Sequence, residues 1–151
     1  IALRTRADDE PIDPMIYLIA GALGFASLEN TFFVSSSILE DSATGSLVTG
    51  ILRFLGATLL HVTASGAIGL SLGLSFYSSL QKKVMALWIG IAAAITLHSL
   101  FNLLIIKHEG LGILTVFSVV WVCVLGLILS FERVKKIYPK ISSVLPPQPI
   151  I

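Results

Sequence analysis

The stretch GLGILTVFSVVWVCVLGLILSF at positions 110–131 contains no charged side chain and no histidine. A helix needs about 20 mostly apolar residues to cross a hydrocarbon core roughly 30 Å thick, and this run is long enough. Three comparable runs precede it. From Pro14 to Leu39 the only charged residue is Glu29; from Ser42 to Leu80 the only strongly charged one is Arg53, with His61 further along; from Val84 to Ile106 the only ionisable one is His98. A cleaved signal peptide would be one short apolar region behind a basic start, so four long runs read as membrane spans. The expected fold class is therefore all-α, a multi-pass transmembrane helix bundle with spans at about 14–38, 54–79, 84–106 and 110–131. Residues 1–13 are expected to be a cytoplasmic loop or N-terminal remnant, and 132–151 a basic, then proline-rich, cytoplasmic tail.

Composition agrees. The 151 residues are 55% hydrophobic and 13% charged, with a mean hydropathy of +0.92, far from the average of soluble domains. Ten Lys and Arg against nine Asp and Glu give a net charge of +1, too little to attract nucleic acid. One cysteine, Cys123, makes neither an internal disulfide nor a cysteine-rich zinc site. The chain opens on Ile1 rather than methionine, and a further N-terminal part is expected.

Short cytoplasmic connections carry an excess of Lys and Arg, which sets the orientation. Arg4 and Arg6 precede the first span, Lys82 and Lys83 lie between the second and third, and Arg133, Lys135, Lys136 and Lys140 follow the fourth. The alternate connections hold Glu40 with Asp41, and Lys107 with His108 and Glu109. Both termini of the segment are thus expected on the cytoplasmic side of the cell membrane, with Tyr17, Tyr77 and Trp88 in the inner aromatic belt. Gly50, Arg53 and Gly56 predict a bent or broken entry to the second span, with Arg53 reaching the outer interface. Pro146, Pro147 and Pro149 predict an extended tail.

Polar groups inside spans are expensive and are functional candidates by default. Here they are Glu29, His61, His98 and Asn102. With about 1.5 Å of rise per residue, Glu29 lies roughly 22 Å from the cytoplasmic start of its helix and His98 about 21 Å from its own, while His61 lies about 10 Å from the outer end of the antiparallel second helix. The three depths converge on the outer part of the membrane. Residues four apart share a helical face, which aligns Gly21, Phe25 and Glu29, then His61, Ser65, Gly69 and Gly73, then Gly90, Ala94, His98 and Asn102. Gly69 and Gly73 have the spacing of small residues at membrane helix contacts, so the polar faces are also packing faces. Against a catalytic role stands a blander one for each: interhelical hydrogen bonds for Glu29 and the histidines, packing glue for Ser65 and Asn102. Asn30, turned about 100° from Glu29, reads as a neighbour rather than a participant. Cys123 reads as a small apolar core residue, and Asp8, Asp9 and Glu10 as loop residues on the opposite membrane side.

Several of these elements together resemble the PrsW-type membrane-embedded proteases, relatives of the CAAX-processing and bacteriocin-processing peptidases. Asp9-Glu10-Pro11-Ile12-Asp13, then Tyr17 and Gly24-Phe25-Ala26-Ser27-Leu28-Glu29-Asn30, are similar to that family's loop and F-x-x-x-E helix. His61 with Ser65 and Gly69 is similar to its H-x-x-x-S-x-x-x-G element, and His98 with Asn102 to its H-x-x-x-N element. The resemblance covers roughly residues 8 to 106. It implies a membrane-embedded peptidase that cuts a single-span membrane protein, of the anti-sigma-factor kind, near the outer membrane face. The family also carries a paired-glutamate motif on a helix ahead of the D-E-P loop, and these 151 residues begin too late to contain it. That pair, by resemblance, activates the attacking water, which puts the activity of the segment alone in question.

Two mechanisms stay open at this point. In a glutamic protease, His61, His98 and Asn102 position water or stabilise the oxyanion while Glu29 orients a histidine or assists proton transfer. In a metalloprotease, His61, His98 and a carboxylate hold a Zn²⁺ that acidifies its bound water, although no local H-E-x-x-H signature supports zinc. A different class also stands: a non-catalytic membrane protein, either a partner-binding pseudoprotease or a proton-coupled transporter subunit. A peptidase requires Glu29, His61 and His98 in one pocket, whereas a proton relay staggers them through the bilayer.

Overall fold

A computed structural model of the chain describes residues 9–40, 47, 51, 54–107 and 111–137. Arg4, Arg6, Asp8, Asp41, Gly50, Arg53, His108, Glu109, Lys140 and the proline-rich tail, each named in the sequence reading, lie outside these residues. Four long helices account for nearly all of the rest: α1 Asp13–Glu40, α2 Leu59–Leu74, α3 Leu80–Lys107 and α4 Leu111–Val134. A π-helical turn, Phe54–Thr58, runs directly into α2. No strand occurs among the described residues. Four segments, Asp13–Ser36, Gly56–Leu74, Leu80–Leu104 and Leu114–Val134, are long and apolar enough to cross a membrane.

Local chemistry sets the helix ends. The Asp13 carboxylate accepts the backbone N–H groups of Asp9 and Glu10 at 3.0 and 2.7 Å, which folds the Asp-Glu-Pro loop onto the start of α1. An acidic side chain there also complements the positive end of the helix, and Pro14 is tolerated because first-turn N–H groups have no intrahelical acceptor. The second helix stops at Leu74 rather than continuing to Ser79. Ser75 N–H bonds to Leu72 O and Phe76 N–H to Gly73 O, and Ser78 N–H returns to Ser75 O at 2.8 Å. These bonds close the turn in which Tyr77 stands, and Lys83 on the next helix sits over the Phe76 ring, 5.0 Å from its centroid. Arg133 in the last turn of α4 faces that helix's negative end.

The bundle is organised around α2. Its span is 44% buried, against 11–17% for the other three, and it packs against α1, α3 and α4. Lipid is as apolar as leucine, so membrane helices associate by close packing and hydrogen bonds rather than by the hydrophobic effect. Close packing requires small residues on the central helix. A Cβ on Gly69 would stand 2.5 Å from Met15 Cα and 2.9 Å from its nitrogen; one on Gly73 would meet Pro11 O; one on Gly90 of α3 would come within 2.8 Å of Ile68 Cα. At the loop end, Ile12, Met15, Leu127 and Val134 form one buried cluster; toward the other end, Leu60, Phe101, Val116 and Val120 form a second. The outward faces carry Leu23, Leu28, Phe32, Ile95, Val122 and Leu129, all exposed, as a lipid-facing surface requires.

Gly69→Leu should therefore destabilise the protein by about 1–3 kcal/mol or more, since it forces backbone apart. Gly21→Ala, with nothing within 4 Å of the added carbon, should be neutral or stabilising by up to ~1 kcal/mol through helix propensity. Unfolding of the purified protein in detergent measures both, and equal effects would show that α1 and α2 do not approach at Gly69.

Candidate functional site

Two antiparallel helices, α1 and α2, share a seam whose contacts climb from the loop end. Pro11 lies against Gly73 and Met15 against Gly69. Further along, the same seam becomes polar. Nε2 of His61 on α2 is hydrogen-bonded to Oε2 of Glu29 on α1 at 2.8 Å, with 16% and 32% of the two side chains exposed. Phe25, one turn before Glu29, meets the His61 ring edge-on, with centroids 5.2 Å apart at 73°. His98 on α3 also approaches that imidazole, with ring centroids 5.3 Å apart and planes inclined at 48°. Three helices thus bring a carboxylate and two imidazoles to one place.

The facing of α3 explains why His98 reaches the group. Gly90, Ala94 and Phe101 are the buried positions of this helix, and Leu97, Leu100, Phe101 and Leu104 join Val116, Val119 and Val120 of α4 around an apolar groove. His98 points away from that groove, toward His61. Asn102, one turn beyond His98, is exposed and takes part in none of the contacts that join Glu29, His61 and His98. Three of the four residues singled out in the sequence are therefore assembled, and the amide is not.

A polar contact that the sequence reading passed over lies one step along the seam. Asn30 Nδ2 donates to Thr58 Oγ1 at 2.8 Å, so Asn30 bridges α1 to the last residue of the π-helical turn. The signal available was its adjacency to Glu29 combined with a threonine three residues before His61. Phe25 had been aligned with Glu29 but given no role. Cys123 is a free thiol of intermediate exposure on α4.

The donor types suit a catalytic zinc site, which takes three protein ligands from nitrogen and oxygen donors. The described residues do not supply that geometry: no group of three or more His, Cys, Asp or Glu among them is placed to hold a metal ion, and Nε2 of His61 is engaged by Glu29. What the arrangement does provide is an imidazole held in orientation by a hydrogen bond to the Glu29 side chain, leaving the second ring nitrogen for other chemistry.

The chain is 28% identical over 104 residues to the protease PrsW of Geobacillus kaustophilus (strain HTA426), a match covering 69% of this chain and 42% of that protein. The chain thus spans less than half the length of the curated relative that it matches. No solved structure matches it. The family described as PrsW family intramembrane metalloprotease matches residues 1–128, which include Glu29, His61 and His98, and on that match the chain belongs to the PrsW family of intramembrane proteases.

Proposed function

We propose that this chain is the peptidase core of a membrane-embedded protease that hydrolyses a peptide bond of a single-span membrane protein near the outer membrane face. The observation that carries the reading is the hydrogen bond between Glu29 and His61 with the His98 ring beside it, centroids 5.3 Å apart. A proton relay would stagger ionisable groups through the bilayer, whereas these three meet at one level, as a hydrolytic pocket requires. Family membership supports peptidase chemistry.

Hydrolysis forms a bond between water oxygen and the carbonyl carbon, breaks the C–N bond, and moves one proton from water to the departing amine. An ionised Glu29 accepts hydrogen bonds only, so it holds the proton of His61 on Nε2 and leaves Nδ1 as the basic nitrogen. His61 is then a site where the travelling proton is held, and Glu29 stabilises the imidazolium that results. His98 is close enough to share the same water or to donate to the oxygen that becomes negative.

The depth of the cluster supports the side of cleavage. Glu29 lies about 24 Å along α1 from Asp13, at 1.5 Å per residue, in a core roughly 30 Å thick. Lys82 and Lys83 open α3 while Arg133, Lys135 and Lys136 close α4, and the buried cluster of Ile12, Met15, Leu127 and Val134 places the loop preceding α1 at the same end. The positive-inside rule makes that end cytoplasmic, in the cell membrane, with the pocket toward the outer face.

In the full-length gene product, His61→Ala should lower cleavage of a single-span membrane reporter by at least ~100-fold, the usual contribution of a positioned acid–base group. Glu29→Gln should lower it less, by roughly 10-fold to 100-fold, because the amide still bonds the ring but without the charge. Undiminished cleavage by His61→Ala would remove the basis of the reading. Topology is checked separately: in a Cys123→Ala background, Lys82→Cys should react with a membrane-impermeant maleimide only after cells are opened. Labelling of intact cells would invert the orientation.

A further inference from the structure

Three buried polar residues are found among the described residues: Thr58, Thr63 and Ser75. Two of them satisfy their hydroxyls within their own helix, Thr63 on Leu59 O and Ser75 on Leu72 O. Thr58 does not. It stands at the N-cap of α2, where threonine ordinarily caps backbone N–H groups, yet its backbone is helical (φ −61°, ψ −46°) and its side chain caps nothing. The hydroxyl is turned instead to α1, where Asn30 donates to it at 2.8 Å.

This contact and the catalytic one are adjacent. Asn30 follows Glu29, and Thr58 precedes His61 by one helical turn, so the pairs Asn30 with Thr58 and Glu29 with His61 form two successive rungs across the α1–α2 seam. The glycine contacts below them are non-directional and fix how close the helices come. They do not fix rotation about the helix axes. Two directional bonds at different heights do. The π-helical turn ending at Thr58 adds a residue to the turn, so its phase departs by about 100° from that of an uninterrupted α-helix. The Asn30 bond is made where that irregularity gives way to regular helix, and His61 is presented from the first regular turn. π-turns of this kind recur at functional sites.

We infer that Asn30 and Thr58 are positioning residues: their hydrogen bond pins the junction between the π-helical turn and α2 to α1, and so holds His61 Nε2 on Glu29. The catalytic consequence rests on the peptidase reading; the geometric one does not. Neither residue reaches the reacting atoms, so their loss should slow turnover without weakening substrate binding.

The test uses the full-length gene product in lipid nanodiscs. Thr58→Val, which keeps the shape and removes the hydroxyl, should lower kcat about 10-fold with KM changed less than twofold. Thr58→Ser should restore it. Asn30→Leu should lower kcat by at least as much as Thr58→Val, and the double variant should be no slower than Asn30→Leu alone, since the bond between the two residues is already lost in either single variant. Unchanged kcat in Thr58→Val, or failure of Thr58→Ser to restore a lost kcat, would overturn the inference. Should Thr58→Val fail to fold, Asn30→Leu carries the same comparison, with Asn30→Gln in place of the serine rescue. A second readout is independent of cleavage. In ¹⁵N-histidine-labelled protein, the His61 Nε2 signal, assigned by its loss in His61→Gln, should move toward the value of Glu29→Gln when Thr58→Val is introduced. An unmoved signal would overturn the inference. A moved signal in a protein that cuts nothing would uphold the clamp and reject the peptidase reading.

Discussion

The hydrogen bond between Glu29 and His61 is the constraint on which the rest of the molecule turns. A carboxylate and an imidazole inside a bilayer are each costly when alone, and their mutual bond, partly shielded from the surroundings, is what makes either tolerable. For it to form, two antiparallel spans must approach within reach of short side chains over many turns. Gly69 and Gly73 allow that approach by letting the backbone of the α1 entry lie directly on α2. The loop end of the bundle therefore exists in its present form to set the distance at which the polar end operates. The Asp13 cap, which folds the Asp-Glu-Pro loop back on itself, belongs to the same design, because it fixes Pro11 and Met15 where the glycines receive them.

The third helix is added to this pair with equal economy. The close contact of Gly90 with Ile68 holds α3 against α2, and the α4 groove takes up the Leu97, Leu100 and Leu104 side of α3. That leaves His98 turned toward His61. The second buried cluster, Leu60 with Phe101, Val116 and Val120, ties α2, α3 and α4 together beside the site, with Leu60 adjacent to His61 in the chain. The cluster is thus assembled by packing on faces that carry no chemistry. This is why apolar residues of α4, a span that adds no side chain to the cluster, bear on a site that they do not enter.

Much of this was legible in the residues. Four apolar runs are unmistakable because the bilayer imposes a length of about 20 residues on every span, and a lone Glu29, His61 or His98 stands out against such a background. Fourfold spacing placed Gly69 and Gly73 on the packing face of α2 below His61, but on α1 it aligned Gly21 with Glu29, and Gly21 is exposed with open space beside it. The rest depended on contacts that no single helix records. Asn102 shares a face with His98 by spacing, yet α3 meets its neighbours in a way that leaves it exposed. Asn30 looked like a bystander because periodicity turns it away from Glu29, and the partner that gives it a place, Thr58, belongs to a π-helical turn whose phase a regular α-helical count does not follow. The end of α2 at Leu74 was similarly hidden, since Ser75, Phe76 and Ser78 break the helix through backbone bonds within an otherwise apolar stretch.

The central claim is that Glu29 and His61 act as one unit in hydrolysis. A double-mutant cycle on the full-length gene product tests it most directly, comparing cleavage rates of Glu29→Gln, His61→Ala and the two combined. Residues that act as a unit are strongly non-additive, so the double variant should cleave no more slowly than His61→Ala alone. If the two losses multiply, each residue contributes independently, and the hydrogen bond that joins them is structural rather than catalytic.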